Sequence, residues 1–398
     1  MRLSPLVERI GGERADAWKI HGEAVRRRRE GQDIILLSVG DSDHDTPPKV
    51  VQAAVDSLWA GRTKYTGSGG DLRLREAIAA RQGERCGVTP TADQVVVTTG
   101  TQGALTAAVL CTLAQGDELI VIEPMYVTYE AVAGLAGARL VMVPAWPENG
   151  FLPDPKDIEA AVTERTRAIL YASPNNPTGS VLTADLVKAI GDIAKRHDLW
   201  ILADEVYADL VYEGEHVSPL QFPDLAERTI IMSSLSKSHA MSGWRMGWVI
   251  SPKEISPHIE NVMLCTTYGL PGFNQDGAYC ALTEELPELA AIKESYRRRR
   301  DRLHQRLNAI DGLSCHLPQG AMFIMLDVRA TGLSSQDYAF GLLRSQGVSL
   351  LPADTFGDSA KGHVRMAIGA PDEVLKDAAE RIAAYTAEVM AQRGIAAK

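Results

Sequence analysis

The sequence predicts an α/β protein in which a mostly parallel sheet is covered by helices on both faces and joined to a smaller α+β domain. Three observations carry this expectation. From about residue 94 to residue 250, short apolar runs alternate with segments of helical period, the rhythm of strands connected by crossover helices. Several of those runs are apolar at nearly every position, as strands are when both faces of a sheet are buried. Beyond about residue 290 the rhythm changes to a long charged helical segment and then to short strands of different spacing, which marks a second unit. The expected division is 1–45 as an N-terminal arm and part of the small domain, 46–290 as the large domain and 291–398 as the C-terminal small domain.

Taken in order, residues 13–30 set apolar groups at helical spacing among charges, and Gly31 stops that helix. An apolar run at 34–39 halts at Gly40. The segment G-D-S-D-H-D-T-P-P, 40–48, is turn chemistry that leads through two prolines into a helix at 49–60. The first forty residues are expected to pack against the small domain. The loop T-K-Y-T-G-S-G-G-D places Tyr65 in a tight turn; no strand precedes its glycines and the last glycine of G-x-G-x-x-G is missing, so it is no dinucleotide fingerprint. Strands are expected at 94–98, 118–122, 139–143, 168–172, 200–203, 229–232 and 248–250, with helices at 102–113, 126–135, 158–162 and 184–197. A loop at 266–274 precedes a long charged helix at 289–310, and further strands follow at 321–328 and 363–368.

At 398 residues, 45% apolar and 23% charged, the chain has ordinary folded composition and can bury sizeable cores. No apolar run approaches the length of a membrane span, and the N-terminus lacks the basic start and apolar stretch of a secretory signal. Cys86, Cys111, Cys265, Cys280 and Cys315 are scattered, with no C-x-x-C pair, which points to free thiols in a reducing compartment rather than disulfides or zinc. A cytoplasmic location and no metal are expected. The net charge of -10 disfavours non-specific nucleic-acid binding. Two arginine runs, 26–29 and 297–300, lie among glutamates and aspartates at helical spacing and read as solvated helix faces.

The chemistry centres on S-S-L-S-K-S-H-A-M-S-G-W-R-M-G-W, 233–248. Lys237 stands there among hydroxyls, with the fixed cation Arg245 two short turns later, as a loop holding an anion beside a reactive amine would be built. Ser234 to Lys237 also spells S-x-x-K, but the S-D-N and K-T-G partners of a serine hydrolase are absent. In an open α/β sheet, ligands bind beyond the carboxyl ends of the strands. The residues found there form one set: Thr101 and Gln102 at a helix start suited to a phosphate, Tyr126, Asn176 in S-P-N-N-P-T-G, Asp204 and Tyr207 in D-E-V-Y, and Lys237 itself.

Each group answers one feature of pyridoxal 5'-phosphate. Lys237 would form a Schiff base with its aldehyde, and Asp204 would keep its pyridine nitrogen protonated. Tyr207 and Asn176 would hydrogen-bond the ring oxygen, and Tyr126 would stack on the ring. Ser234, Arg245 and the amides near Thr101 and Gln102 would hold the phosphate.

These motifs resemble the fold type I pyridoxal-phosphate enzymes and, within them, the class I and II aminotransferases. The likeness lies in S-L-S-K-S-H-A-M-S-G-W-R-M-G, in N-P-T-G at 176–179 and in D-E-V-Y at 204–207. It implies that Arg365, in G-H-V-R-M-A-I-G, grips the substrate carboxylate, with Gly40 as a backbone contact beside it. It further implies that Tyr65 is lent to the phosphate of a neighbouring subunit, hence a homodimer with active sites at its interface. The stretches E-P-M-Y-V-T-Y-E-A, G-E-H-V-S-P and L-C-T-T-Y-G are similar to aminotransferases that pair L-arginine with pyruvate, which implies that donor and that acceptor. Ser42 and His44 stand where relatives carry proline and phenylalanine, in a segment bordering the substrate, so a different neutral, basic or aromatic donor stays open. The stretch 100–105 offers no lysine for a distal carboxylate, against an acidic donor. The expected mechanism is ping-pong transamination, with Lys237 as both anchor and general acid/base. A pyridoxal-phosphate C–S β-lyase is the alternative, distinguished by release of ammonia and pyruvate. A transcriptional sensor would need a DNA-binding module for which the chain has no room.

Overall fold

The apolar runs become strands of a seven-stranded sheet because both of its faces are covered. The computed structural model describes residues 1–11 and 18–395. It opens with α1 (Leu6–Gly11), α2 (Lys19–Arg29), β1 (Ile35–Leu36), α3 (Pro48–Trp59) and α4 (Leu72–Cys86). Strands then alternate with helices: β2 (Val95–Thr99), α5 (Gly100–Thr112), β3 (Glu118–Glu123), α6 (Thr128–Ala136), β4 (Arg139–Pro144), α7 (Pro155–Ala160), β5 (Thr166–Ala172), α8 (Ala184–Arg196), β6 (Trp200–Asp204), β7 (Thr229–Ser234) and β8 (Met246–Ile250). The sheet order is β2-β8-β7-β6-β5-β3-β4. Pairs from β4 through β7 are parallel, and β8 runs antiparallel between β7 and β2. Alternate side chains enter two separate cores: Ile120, Ile169, Ile201 and Ile231 face one, and Val121, Leu170, Leu202 and Met232 the other.

The remaining elements are α9 (Ser256–Thr266), α10 (Gly272–Thr283), α11 (Pro287–Asn308), β9 (Ser314–Cys315), β10 (Phe323–Asp327), α12 (Ser335–Gln346), β11 (Val348–Ser349), β12 (Leu351–Pro352), β13 (His363–Ala367) and α13 (Asp372–Arg393). A four-stranded antiparallel sheet, β12-β13-β10-β9, anchors a third core with α11, α12 and α13. Among the described residues no helix is long and apolar enough to cross a membrane.

Several expectations are corrected. The helix read at 13–30 is described only from Lys19, and residues 13–17 lie outside the described residues. Only part of the N-terminal arm packs on the C-terminal elements: β1 and β11 form a separate two-stranded parallel sheet and α2 meets α12, but α1 lies on α6. Gly134 makes room for α1, since a Cβ there would stand 2.6 Å from the Arg9 carbonyl oxygen. Helix α4 received no element from the sequence. The helix read at 158–162 starts earlier because Pro155 occupies its first turn and the Asp154 carboxylate accepts from the Lys156 amide. The loop read to 274 gives way to α10 at Gly272.

The second arginine run is not a solvated face. Arg297 pairs with Glu294 and Asp301 as expected, but Arg299 and Arg300 are buried. They belong to the inward stripe of α11 that includes Ile292, Tyr296, Leu303 and Leu307. Arg299 grips Asp43 with two bonds of 2.6 and 2.7 Å; Arg300 donates to the Pro318 carbonyl at 2.8 Å and lies over the Tyr212 ring.

Candidate active site

The carboxyl ends of β2, β3, β5, β6 and β7 open into one cavity of about 200 Å³, whose wall also includes Phe323 of β10 and Arg365 of β13. Lys237, Gly40, Thr101, Gln102, Tyr126, Asn176, Asp204, Tyr207, Ser234, Arg245 and Arg365 all line it. Eleven of the twelve residues singled out in the sequence are thus brought together. Tyr65 is not: it is 87% exposed, edge-on to Tyr268 at 4.9 Å, over a separate surface groove.

Helix α5 begins directly at the end of β2, and Gly100 turns the corner at φ +71°. A Cβ at Gly100 would stand 2.6 Å from Arg245 Nη2, and one at Gly247 would stand 2.4 Å from the Gly100 carbonyl carbon. The two glycines therefore let the Arg245 guanidinium lie across the helix start. Arg245 is held there by bonds to the carbonyls of Ser242 (2.7 Å) and Thr99 (3.2 Å). Thr101 Oγ1 donates to Ser234 Oγ at 2.9 Å. A guanidinium, two hydroxyls and a helix N-terminus thus converge on one point, the donor set of a phosphate site.

At the floor, the buried Asp204 carboxylate accepts from Tyr129 Oη (2.8 Å) and from the Val206 amide (3.1 Å), and burial pushes its pKa up to about 6. No cation pairs with it among the described residues. Tyr129 was not foreseen; its position three residues after Tyr126, one helical turn on, was the available signal. Tyr126 borders the cavity edge-on to Tyr129 at 5.8 Å. Tyr207 is buried, which drives its phenol pKa up.

Lys237 Nζ donates to the Gly40 carbonyl at 2.6 Å. Burial lowers the pKa of its amine, Arg365 and Arg245 add to that, and Asp41 opposes it. Gly40 must lack a side chain, since a Cβ there would lie 2.5 Å from the Phe323 ring. Asn176, in a turn with cis peptide bonds before Pro174 and Pro177, accepts from Arg365 Nη1 at 3.0 Å. Arg365 Nη2 donates to the Ser38 carbonyl at 2.6 Å, and the guanidinium lies over Phe323 and Phe356. Among the described residues its buried Nε has no partner, and burial pulls the pKa down to about 10.

Segment 40–48 crosses from this cavity to α11. Asp41 accepts from Ser242 (2.7 Å), and Thr46 bonds both the Ala240 carbonyl (2.8 Å) and Trp244 Nε1 (3.0 Å), all in the lysine loop. Between them, Ser42 accepts from Tyr296 (2.7 Å), Asp43 pairs with Arg299, and His44 meets Ser295 (2.7 Å), all on α11. Ser42 and His44, set apart in the sequence as departures, therefore bind α11 and do not line the cavity. Trp18 does line it; Tyr268 lies with Tyr65.

The donor set fits pyridoxal phosphate: an amine for its aldehyde, an unpaired buried carboxylate for its pyridine nitrogen, a cationic cradle for its phosphate, and an arginine with a free buried donor for a carboxylate. A lysine so placed beyond a mostly parallel seven-stranded sheet, under a smaller α+β unit, defines a fold type I pyridoxal-phosphate enzyme.

Residues 32–382 match the family described as aminotransferase class I and II. The chain is 50% identical over 392 residues to the arginine–pyruvate transaminase AruH of Pseudomonas aeruginosa, covering 98% of this chain and 100% of that protein. It is 36% identical over 367 residues to the aspartate/prephenate aminotransferase of Thermus thermophilus, covering 92% and 94%. Among solved structures, the aspartate aminotransferase from Thermus thermophilus with maleate matches at a TM-score of 0.92 and 35% identity, over 97% of this chain and 100% of that one. The chain belongs to the class I and II aminotransferases, pyridoxal-phosphate enzymes that move an amino group from an amino acid to a 2-oxo acid.

Proposed function

We propose that the protein takes the amino group of L-arginine and passes it to pyruvate, with pyridoxal phosphate carried on Lys237. The convergence of Lys237, Asp204 and Arg365 on one cavity carries the reading, and the whole-length likeness to an arginine–pyruvate transaminase supports the choice of substrates. When bound, the cofactor withdraws electrons from the substrate's α carbon. Lys237 Nζ, whose burial disfavours the protonated form and which is held by the Gly40 carbonyl, takes the α proton and returns it. Arg365 binds the substrate carboxylate through a planar, two-pronged contact, and its free Nε leaves donor capacity for it. The Asp204 carboxylate keeps the pyridine nitrogen protonated. Asn176 and Tyr207 donate to the ring oxygen, and Tyr126 covers a ring face. Arg245, Ser234 and the amides of Thr101 and Gln102 hold the phosphate, joined by Tyr65 of a second copy, so that a homodimer completes two sites. The exposed Tyr65–Tyr268 pair supports that assembly, and five free cysteines support a cytoplasmic location. Residues 46–290 would form the large cofactor-binding domain, and 1–45 with 291–398 the arm and small domain.

The test is the visible spectrum of the purified holoenzyme. L-arginine alone is expected to convert the cofactor band to the pyridoxamine form, and added pyruvate to restore it with formation of alanine. If alanine converts the band and arginine does not, the donor assignment falls; if pyridoxal phosphate gives no lysine-bound band, the assignment of Lys237 falls.

A further inference from the structure

An arginine donor brings a guanidinium into a cavity already lined by two others, Arg245 and Arg365, beside the Lys237 amine. Asp204 cannot answer it, because it lies at the floor, bound by Tyr129 and the Val206 amide. Resting on the donor reading above, we propose that Asp41 receives the donor's cationic side chain, with the indole of Trp18 beside it, and makes the site prefer a guanidinium to an uncharged group of the same length.

Asp41 directly follows Gly40, the residue whose carbonyl touches Lys237 Nζ. Its Oδ1 accepts from the Ser42 amide (3.0 Å) and from the hydroxyl of Ser242 (2.7 Å), a residue of the cavity wall. Those bonds hold the exposed carboxylate, next in the chain to the cavity-lining Gly40, 2.7 Å from the hydroxyl of that wall residue. Among the described residues no arginine, lysine or histidine pairs with Asp41, and its Oδ2 takes no hydrogen bond. Nearby acids are already committed: Asp43 is clasped by Arg299, and the buried Glu205 lies between Arg85 and His216. The field of Asp41 reaches the reacting lysine, where it is the charge that favours the protonated amine. Asp41 is thus an anion without a cationic partner among the described residues, one residue along the chain from the carbonyl that holds the Lys237 amine.

The surrounding wall suits the rest of an arginine side chain. Val39, Leu105 and Val206 line the cavity with apolar surface for the methylenes. Trp18 lines it too and is 37% exposed. An indole attracts a guanidinium through its ring quadrupole and its flat face. An indole in the cavity wall and a carboxylate bonded to the wall residue Ser242 together select for a flat cation. Neither group discriminates among neutral side chains by charge.

L-citrulline has the length and shape of L-arginine but a neutral end group, so it isolates the charge. The experiment compares kcat/KM for L-arginine and L-citrulline, with pyruvate as acceptor, in the wild-type holoenzyme, Asp41→Asn and Asp41→Glu. The arginine-to-citrulline ratio is expected to fall about tenfold in Asp41→Asn, the scale of a partly exposed charge-assisted contact, chiefly through the KM of arginine. Asp41→Glu is expected to retain most of the preference. The KM for arginine should also rise with ionic strength in the wild type and far less in Asp41→Asn, a dependence that a purely structural role for Asp41 would not alter. An unchanged ratio in Asp41→Asn, with arginine still a good donor, overturns this inference and leaves the donor reading intact. Failure of the wild type to use arginine overturns both.

Discussion

Asp204→Asn is expected to make the cofactor-free protein more stable at neutral pH, the reverse of what replacing a buried site residue usually does. The carboxylate is enclosed at the end of β6 with two hydrogen bonds and no cation, and burial raises its pKa from 3.8 to about 6. A shift of about two units corresponds to about 3 kcal/mol. The sign follows from which state holds the proton more tightly. The native acid keeps its proton up to about pH 6, whereas the unfolded acid releases it near pH 4. Stability therefore falls as pH rises through that window, and the full cost is present above it. Asparagine carries no charge and can still accept from Tyr129 Oη, so the variant lacks the window. Urea unfolding of both cofactor-free proteins from pH 4 to pH 8 checks this. The variant's advantage should grow from near zero at pH 4 to about 3 kcal/mol at pH 7. With saturating pyridoxal phosphate the order should reverse, since the wild type alone offers a partner to a protonated ring nitrogen. A difference that stays flat between pH 4 and pH 7 would refute the reasoning, because the carboxyl would then ionise as it does in water.

Arg365→Lys is expected to lower kcat/KM for amino acid and 2-oxo acid alike by about ten- to a hundredfold, since both carry the carboxylate and lysine cannot offer a two-pronged contact; a loss confined to the amino acid would remove Arg365 from that role. Gly100→Ala places a Cβ against Arg245 at a backbone angle of φ +71°, with a strain cost of about 1 kcal/mol or more. It is expected to weaken pyridoxal-phosphate binding about tenfold, read by fluorescence titration of the cofactor-free protein, and unchanged affinity would detach Arg245 and the helix start from the phosphate.

The strand-end residues were legible because their placement is local. A run apolar on both faces, such as 168–172 or 229–232, announces a buried strand, and whatever polar residue follows must stand at its end. What the sequence could not show was every relation between distant segments. Tyr129 reaches Asp204 only because β3 and β6 flank β5. Arg299 and Arg300 look like their solvated neighbours until α11 turns them inward. Helix α4 went unread because its buried positions, Leu74, Ile78, Gln82 and Cys86, mix apolar with polar residues, and Gly83 interrupts them. Tyr65 lies exposed over a separate groove, and its turn chemistry carries no sign of what it packs against.

Segment 40–48 carries a mechanical consequence. Its bonds alternate along the chain, first to the lysine loop, then three in succession to α11, then to the lysine loop again. Such a segment works as a seam stitched from both sides. Sliding α11 along the large sheet must drag Asp43 and its neighbours, and with them the Gly40 carbonyl that rests on Lys237. Any rocking of the smaller sheet is thereby geared to the contact at the Lys237 amine, and the two halves of the molecule share that coordinate.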